Sequence, residues 1–221
     1  MEHAFGLDIP RTIDEVCDPT RTALLVYDMQ VGIVKQLPDG EAVTDRVAQV
    51  LAAARDGGFR IFFTRHMSLP LELAGVTQLR TGMAWQRVDR VKDVKPWFLR
   101  DSPGFALAPK IAPLATEAIF DKLAMSAFVG TPLDMAMRDC GLNAFVIVGI
   151  ALEIGIEPTV RHATDLGYIP VVVTDACGSR DKVAAGRALD TLAFAGGSLQ
   201  TDLETICALF RRHANVSAVA K

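Results

Sequence analysis

Thr22-Ala-Leu-Leu-Val-Tyr-Asp28 is the stretch that decides the fold, because six uncharged and mostly apolar residues run directly into a carboxylate. A strand that is buried on both faces of a parallel sheet has this nearly continuous apolar pattern. Apolar residues at helical spacing follow over residues 43–54, and Gly57 and Gly58 end that stripe. The pattern predicts a strand and then an amphipathic helix, the first part of a βαβ unit.

The same alternation continues along the chain. Further strands are predicted at residues 60–64, 118–121, 143–149, 168–174 and 198–201, and further helices at 129–140, 155–166, 181–195 and 202–213. Short strands that alternate with helices of about a dozen residues are typical of right-handed crossovers. We therefore expect the α/β class, with a doubly wound, Rossmann-like parallel sheet covered by helices on both faces.

Composition excludes several classes of partner. The chain has 221 residues with 23 Lys and Arg against 26 Asp and Glu, without the basic cluster that nucleic-acid binding needs. The sequence also contains no run of about 18 uncharged apolar residues that could span a membrane. The N-terminal residues are acidic where a signal peptide is basic and then apolar, which predicts a cytoplasmic protein. Without repeats or a linker, residues 1–221 are predicted to form a single domain.

Residues 66–116 do not fit the alternating pattern. This long excursion between the second and third predicted strands has no clear periodicity and contains Trp85 and Trp97. Long irregular segments are usually functional or flexible. The excursion is therefore expected to form either a lid over a pocket or a subunit contact, and Trp85 is a candidate for the pocket wall.

Candidate site residues lie at the carboxyl ends of the predicted strands, where ligands bind in open parallel sheets. Asp28 and Lys122 end two of these strands, and such a pair in a cleft can move protons. A helix start at Gly155 offers N–H groups to a substrate oxygen. Gln30 is expected to orient the Asp28 carboxylate, and His66 is a further candidate pocket residue.

Two other site expectations come from the sequence pattern. Phe128 is a candidate pocket wall, with packing in the core as the competing interpretation. No glycine-rich dinucleotide or triphosphate motif is present, so no cofactor is expected, and the partner is a small-molecule substrate.

Several motifs carry a resemblance to a known family. They are Leu24-Leu-Val-Tyr-Asp-Met-Gln30, Lys122 with Ser126-Ala-Phe128, and the segment from Val148-Gly-Ile150 through Arg161-His-Ala163. Over about residues 20–210 the chain resembles the isochorismatase-like hydrolases, a superfamily that includes nicotinamidases and N-carbamoylsarcosine-type amidohydrolases. The resemblance implies a three-layer αβα fold around a six-stranded parallel sheet. It also implies a homo-oligomer, either a dimer or a tetramer.

The resemblance assigns roles to individual residues. Most members use an Asp–Lys–Cys triad, and Asp28 and Lys122 match its first two members. The implied cis peptide joins Ile150 and Ala151, near the N–H groups that receive the oxyanion. Gly155 stands where the family has its nucleophilic cysteine, and glycine has no side chain for covalent catalysis.

Three functional interpretations remain open. In the first, the chain is a thiol-free hydrolase that resembles isochorismatases proper, which also carry glycine at this position and use the aspartate to protonate a vinyl ether. In the second, the chain is a relative of the amidohydrolases in which water replaces the thiol, or from which a cysteine has been removed. The third interpretation is a catalytically silent binder of a small acid or amide.

The metal site of nicotinamidases is not expected in this chain. Those enzymes bind zinc through an Asp-x-His pair and a second His after the second strand. The corresponding segment here is Thr64-Arg65-His66. A single histidine cannot hold a tetrahedral zinc ion, so the sequence predicts no metal.

Overall fold

The computed structural model describes residues 1–219, with side chains described through residue 214. Two of its strands form an N-terminal hairpin and six form one parallel sheet. The strands are β1 (Glu2–Ala4), β2 (Leu7–Ile9), β3 (Thr22–Tyr27), β4 (Arg60–His66), β5 (Ala118–Lys122), β6 (Ala144–Ile150), β7 (Ile169–Gly178) and β8 (Leu199–Thr201). The helices are α1 (Ile13–Val16), α2 (Val31–Val34), α3 (Gly40–Asp56), α4 (Val76–Gln86), α5 (Leu133–Asp139), α6 (Glu157–Asp165), α7 (Lys182–Ala195) and α8 (Leu203–Val219).

The parallel sheet has the order β5-β4-β3-β6-β7-β8, and the six predicted strands correspond to β3 through β8. The strand order reverses between β3 and β6, which pair with each other at the centre. A reversal of this kind opens a crevice beyond the carboxyl ends of the strands. The predicted α/β class, the doubly wound sheet and the αβα layers are confirmed. Within residues 1–219, no helix is both long and apolar enough to cross a membrane.

The centre of the sheet is buried on both faces, which explains the uninterrupted apolar run of β3. Leu24 and Val26 belong to the core beneath α3 and α8, whereas Leu25 and Tyr27 belong to the core on the opposite face. Successive side chains of a strand point to opposite faces. Because each face has its own helical layer, every position along β3 favours an apolar or hydrogen-bonded side chain.

Several boundaries differ from those that the sequence predicted. Helix α5 begins at Leu133 and not at 129, because Gly130 adopts φ +72°, outside the right-handed helical region. The helix predicted from 155 is preceded by a π-helical turn, Leu152–Ile156. Strand β7 continues to Gly178. Cys177, which follows the predicted strand 168–174 in sequence, therefore lies within β7 and pairs with Gly149 of β6.

The excursion over residues 66–116 is more regular than expected. It contains α4, together with short 3-10 turns such as Leu71–Leu73. None of the residues of α4 is buried. Because α4 has no buried face, its sequence does not carry the apolar stripe that identifies an amphipathic helix.

Gln30 fastens this excursion to the sheet. Its Nε2 donates hydrogen bonds to the carbonyl oxygens of His66, at 3.0 Å, and Phe105, at 3.1 Å. Its Oε1 accepts a 2.6 Å bond from the His66 backbone N–H. The side chain is fully buried, and its amide bonds to backbone and not to the Asp28 carboxylate. The expectation that Gln30 orients Asp28 is therefore wrong, because the nearby loop backbone satisfies the amide.

We predict that Gln30→Ala destabilises the protein by about 3 kcal/mol, since it leaves buried backbone groups of His66 and Phe105 unpaired. Urea unfolding measures this loss of free energy. Gln49→Ala is the matched control, because exposed Gln49 bonds only to a carbonyl of its own helix. Equal stability of the two variants would contradict the role given to Gln30.

Candidate active site

Asp28 and Lys122 form a buried ion pair at the carboxyl edge of the sheet. Asp28 follows β3 directly, and Lys122 ends β5 two strands away. The Lys122 Nζ lies 2.7 Å from Asp28 Oδ2, with side chains that are 0% and 5% exposed. Buried charges are tolerated when they are paired and hydrogen-bonded, so each of these residues requires the other.

All three N–H donors of the Lys122 ammonium are used in hydrogen bonds within the protein. Besides Asp28, its ammonium donates to the Tyr27 hydroxyl at 2.8 Å and to the Ala124 carbonyl at 3.2 Å. Burial lowers the pKa of Lys122, and the neighbouring carboxylate of Asp28 opposes that shift. The other oxygen of Asp28, Oδ1, accepts a 2.6 Å bond from the Thr64 hydroxyl. The carboxylate is thereby held from two sides.

Tyr27 occupies the space that a side chain at position 155 would need. A Cβ atom added to Gly155 would lie 2.1 Å from the Tyr27 hydroxyl oxygen and 2.5 Å from two ring carbons. The hydroxyl also donates to the Met125 carbonyl. Burial raises the pKa of Tyr27 well above its ordinary value, which keeps the phenol neutral. A side chain at position 155 is thus excluded by a tyrosine from the neighbouring strand.

The turn after β6 contains a cis peptide between Ile150 and Ala151. The following π-helical turn closes on Ala151, whose carbonyl accepts the N–H groups of Gly155 at 3.0 Å and Ile156 at 3.1 Å. The expectation of an outward N–H at Gly155 is therefore wrong, because the chain makes this extra turn before α6. That N–H is already bonded within the turn.

A cavity of about 210 Å³ lies above the ion pair. Asp28, Tyr27 and Gly155 line it together with the cis-peptide residues, Ile150 and Ala151. The rest of its wall is mainly apolar or aromatic. These further residues are Ile33, Gln36, Leu37, His66, Trp85, Trp97, Phe98, Met125, Glu153, Ile154 and Arg180.

The structure brings some candidate residues to this cavity and leaves others elsewhere. His66 and Trp85 line the cavity, so the excursion covers the strand ends. Phe128 does not, because its ring is buried beside Phe145 and Tyr168 in the core. The expectation that Phe128 is a pocket wall is wrong, since the turn before α5 directs the ring into the core.

His66 is held as a neutral imidazole. Its Nδ1 is buried and has no hydrogen-bond partner among the described residues. Burial lowers the pKa of His66 from 6.5 to about 4, with Asp28 opposing the shift and Lys122 adding to it. At neutral pH the ring offers a hydrogen-bonding group to the cavity and carries no charge.

The sequence pattern did not identify two charged cavity residues, Glu153 and Arg180. Glu153 lies in the π-helical turn after β6, and Arg180 lies two residues beyond the end of β7. The rule that ligands bind at strand ends could have identified both. The sequence did not show, however, that both turns close over the same cavity.

The thiols are poorly placed for catalysis. The Cys177 Sγ makes a 3.7 Å contact with the Ile147 carbonyl in the sheet, and burial raises its pKa. Burial raises the pKa of Cys17 to about 12 and also raises that of Cys207. Cys140 is exposed at the end of α5. Within the described residues, no group of three or more His, Cys, Asp or Glu side chains could hold a metal ion.

The sequence matches a family model described as the isochorismatase domain over residues 22–204. It is 28% identical over 168 residues to an uncharacterized isochorismatase family protein of Bacillus subtilis. The aligned region covers 72% of this chain and 78% of that protein. It is 24% identical over 185 residues to a ureidoacrylate amidohydrolase of Acinetobacter baylyi, covering 77% and 76%. It is also 26% identical over 193 residues to enterobactin synthase component B of Escherichia coli, covering 81% and 64%.

Solved structures show the same architecture. A cysteine hydrolase from Pseudomonas syringae superposes with a TM-score of 0.73 at 21% identity, covering 90% of this chain and 96% of that one. An isochorismatase family protein from Burkholderia thailandensis has a TM-score of 0.70 at 28% identity, covering 88% and 97%. An N-carbamoylsarcosine amidase from Thermoplasma acidophilum has a TM-score of 0.68 at 21% identity, covering 83% and 96%.

We predict that Gly155→Ala destabilises the protein by about 3 kcal/mol, because the new methyl group overlaps the buried Tyr27 ring. The cost falls by at least about 1 kcal/mol in a Tyr27→Val background, where the ring is absent. Urea unfolding of the two single variants and the double variant measures this coupling. Gly186→Ala is the control, since nothing beyond its chain neighbours and its own helix backbone lies within 4 Å of the added Cβ. Equal tolerance at positions 155 and 186 would refute the steric conflict.

We predict that His66 makes stability depend on pH. Its pKa is about 4 in the folded protein against about 6.5 when unfolded, so the unfolded state binds the proton first. The stabilisation is therefore complete above about pH 6.5 and is lost as pH falls towards 4. In thermal melts from pH 7 to 4.5, His66→Gln should lose less stability than the wild type. A His66→Gln variant that loses as much stability as the wild type over this range would contradict the prediction.

Proposed function

The chain belongs to the isochorismatase family, and we propose that it hydrolyses a small carboxylated molecule without a covalent enzyme intermediate. Characterised relatives include hydrolases of C–N bonds by name, which supports hydrolase activity in general. The single observation that carries the finer proposal is the contact of Tyr27 with Gly155. It leaves Asp28 as the reactive group at the cavity and removes the space for a thiol.

Asp28 would act as acid and then as base, with vinyl-ether hydrolysis as the favoured reaction. Asp28 would take a proton from the Lys122 ammonium, 2.7 Å away, and give it to the vinyl carbon, producing an oxocarbenium ion. Water would add to that ion and return a proton to Asp28, and the hemiketal would break down to a ketone and an alcohol. One water is consumed, and the proton passes back from Asp28 to Lys122, which restores the ion pair. Thr64 and Lys122 would hold the carboxyl group in position throughout.

Arg180 would bind the substrate carboxylate. Lys122 is poorly suited to bind it, because its ammonium already donates to Asp28, Tyr27 and Ala124. Arg180 lines the same cavity, and its side chain is exposed. A guanidinium group matches the two oxygens of a carboxylate in a paired geometry. Lys122 therefore balances Asp28, and Arg180 orients the substrate.

Hydrolysis of a C–N bond is the second candidate, favoured by the similarity to a ureidoacrylate amidohydrolase. In that reaction Asp28 would take a proton from water as the water attacks an amide carbonyl, and would pass it to the leaving nitrogen. Binding without turnover is the remaining alternative. We also propose a cytoplasmic location, a single domain and assembly as a homo-oligomer, the last supported by exposed apolar residues such as Phe194.

We predict that Asp28→Asn lowers kcat for an enol ether of pyruvate by about 10² to 10⁴, since it removes the proton donor. Iodoacetamide should leave wild-type activity unchanged. In D₂O the vinyl-ether route places one solvent deuterium on the methyl carbon of the product, which mass spectrometry detects.

Asp45→Asn is the control variant, because Asp45 is an exposed residue of α3 that pairs with Lys110. It should retain full activity. Inactivation by iodoacetamide, or an acylated cysteine found by mass spectrometry, would overturn the thiol-free mechanism. Turnover of amides without that of enol ethers would favour the second candidate.

A further inference from the structure

We propose that the cavity selects a zwitterionic substrate, in which Glu153 binds a cationic nitrogen group at the opposite end from the carboxylate. This inference rests on the proposed function for the placement of the carboxylate at Arg180. It adds a specificity-determining residue and narrows the substrate class to small acids that carry an ammonium or guanidinium group.

Glu153 is an unsatisfied acid in the cavity wall. It lines the cavity together with Asp28, and its Oε2 is buried without any hydrogen-bond partner. It forms no ion pair with the residues that the structure describes. A carboxylate oxygen withdrawn from water and left without a donor costs free energy. A ligand that brings an N–H donor to this oxygen would recover that cost.

Arg180 is the complementary group. It lines the same cavity and an adjoining cleft beside Trp85 and Trp97. Within the described residues it has no acidic partner, and it does not pair with Glu153. The other charges at the cavity, Asp28 and Lys122, neutralise each other. The cavity thus presents one anion and one cation that remain available to a ligand.

The uncharged walls of the cavity determine which group suits the rest of the ligand. Ile33, Trp85 and Phe98 are among the residues that line the cavity, and they offer no charge. A short methylene chain suits these walls, whereas charged ends suit Glu153 and Arg180. The arrangement therefore matches ω-amino or guanidino acids and their derivatives better than simple fatty acids.

Isothermal titration calorimetry of the full chain tests the proposal. The probes are the ω-amino acids from 3-aminopropanoate to 6-aminohexanoate, each paired with the fatty acid in which a methyl group replaces the ammonium. In the wild type, at least one amino acid should bind about tenfold more tightly than its paired fatty acid. Glu153→Gln should reduce this preference to about twofold or less without weakening the fatty acid. Arg180→Gln should weaken both members of each pair.

Glu157→Gln is the matched control, because Glu157 pairs with Arg161 on α6 and does not line the cavity. It should keep the tenfold preference. The proposal is overturned by equal wild-type binding of both probe series, by an unchanged preference in Glu153→Gln, or by no binding of any probe. Binding requires no turnover, so these results are separate from the hydrolysis assay of Asp28→Asn. If the protein hydrolyses acids that carry no charged nitrogen and binds amino acids no more tightly than fatty acids, this proposal fails. The proposed hydrolase function then still stands.

Discussion

The buried ion pair between Asp28 and Lys122 is the constraint on which the site depends. Neither charge is tolerated alone at this depth, so the two strand ends must keep a fixed separation across β4. Because Lys122 also donates to Tyr27 and Ala124, it is bound within the protein and unsuited to hold a substrate. Asp28 is consequently the member of the pair that meets the cavity.

Tyr27 and Gly155 form the second constraint, since a side chain at one position excludes the ring at the other. The phenol occupies the space that a side chain at position 155 would need, bonds to Lys122 and stays neutral. The site therefore combines a fixed carboxylate with a lack of space for a side chain at position 155. Solvent is the remaining source of a nucleophile in the proposed reaction.

The cavity above these groups is made by the excursion. Trp85, Trp97 and Phe98 cover the strand ends, and Gln30 fastens the excursion through backbone groups of His66 and Phe105. The hydrogen bonds between Gln30 and the His66 backbone also place the His66 ring beside the ion pair, where burial keeps the ring neutral. Residues far apart in sequence thus provide the covered, mainly apolar surroundings in which the charged groups act.

The sequence by itself determined the sheet, the strand ends and the absence of a side chain at position 155. Apolar periodicity reports burial directly, and parallel strands bring Asp28 and Lys122 to one edge. Only the tertiary structure decided that Tyr27 fills the space at Gly155, that the Gln30 amide turns to backbone, and that Glu153 and Arg180 share a cavity. Those facts depend on how loops and turns close between distant residues, which local sequence patterns do not encode.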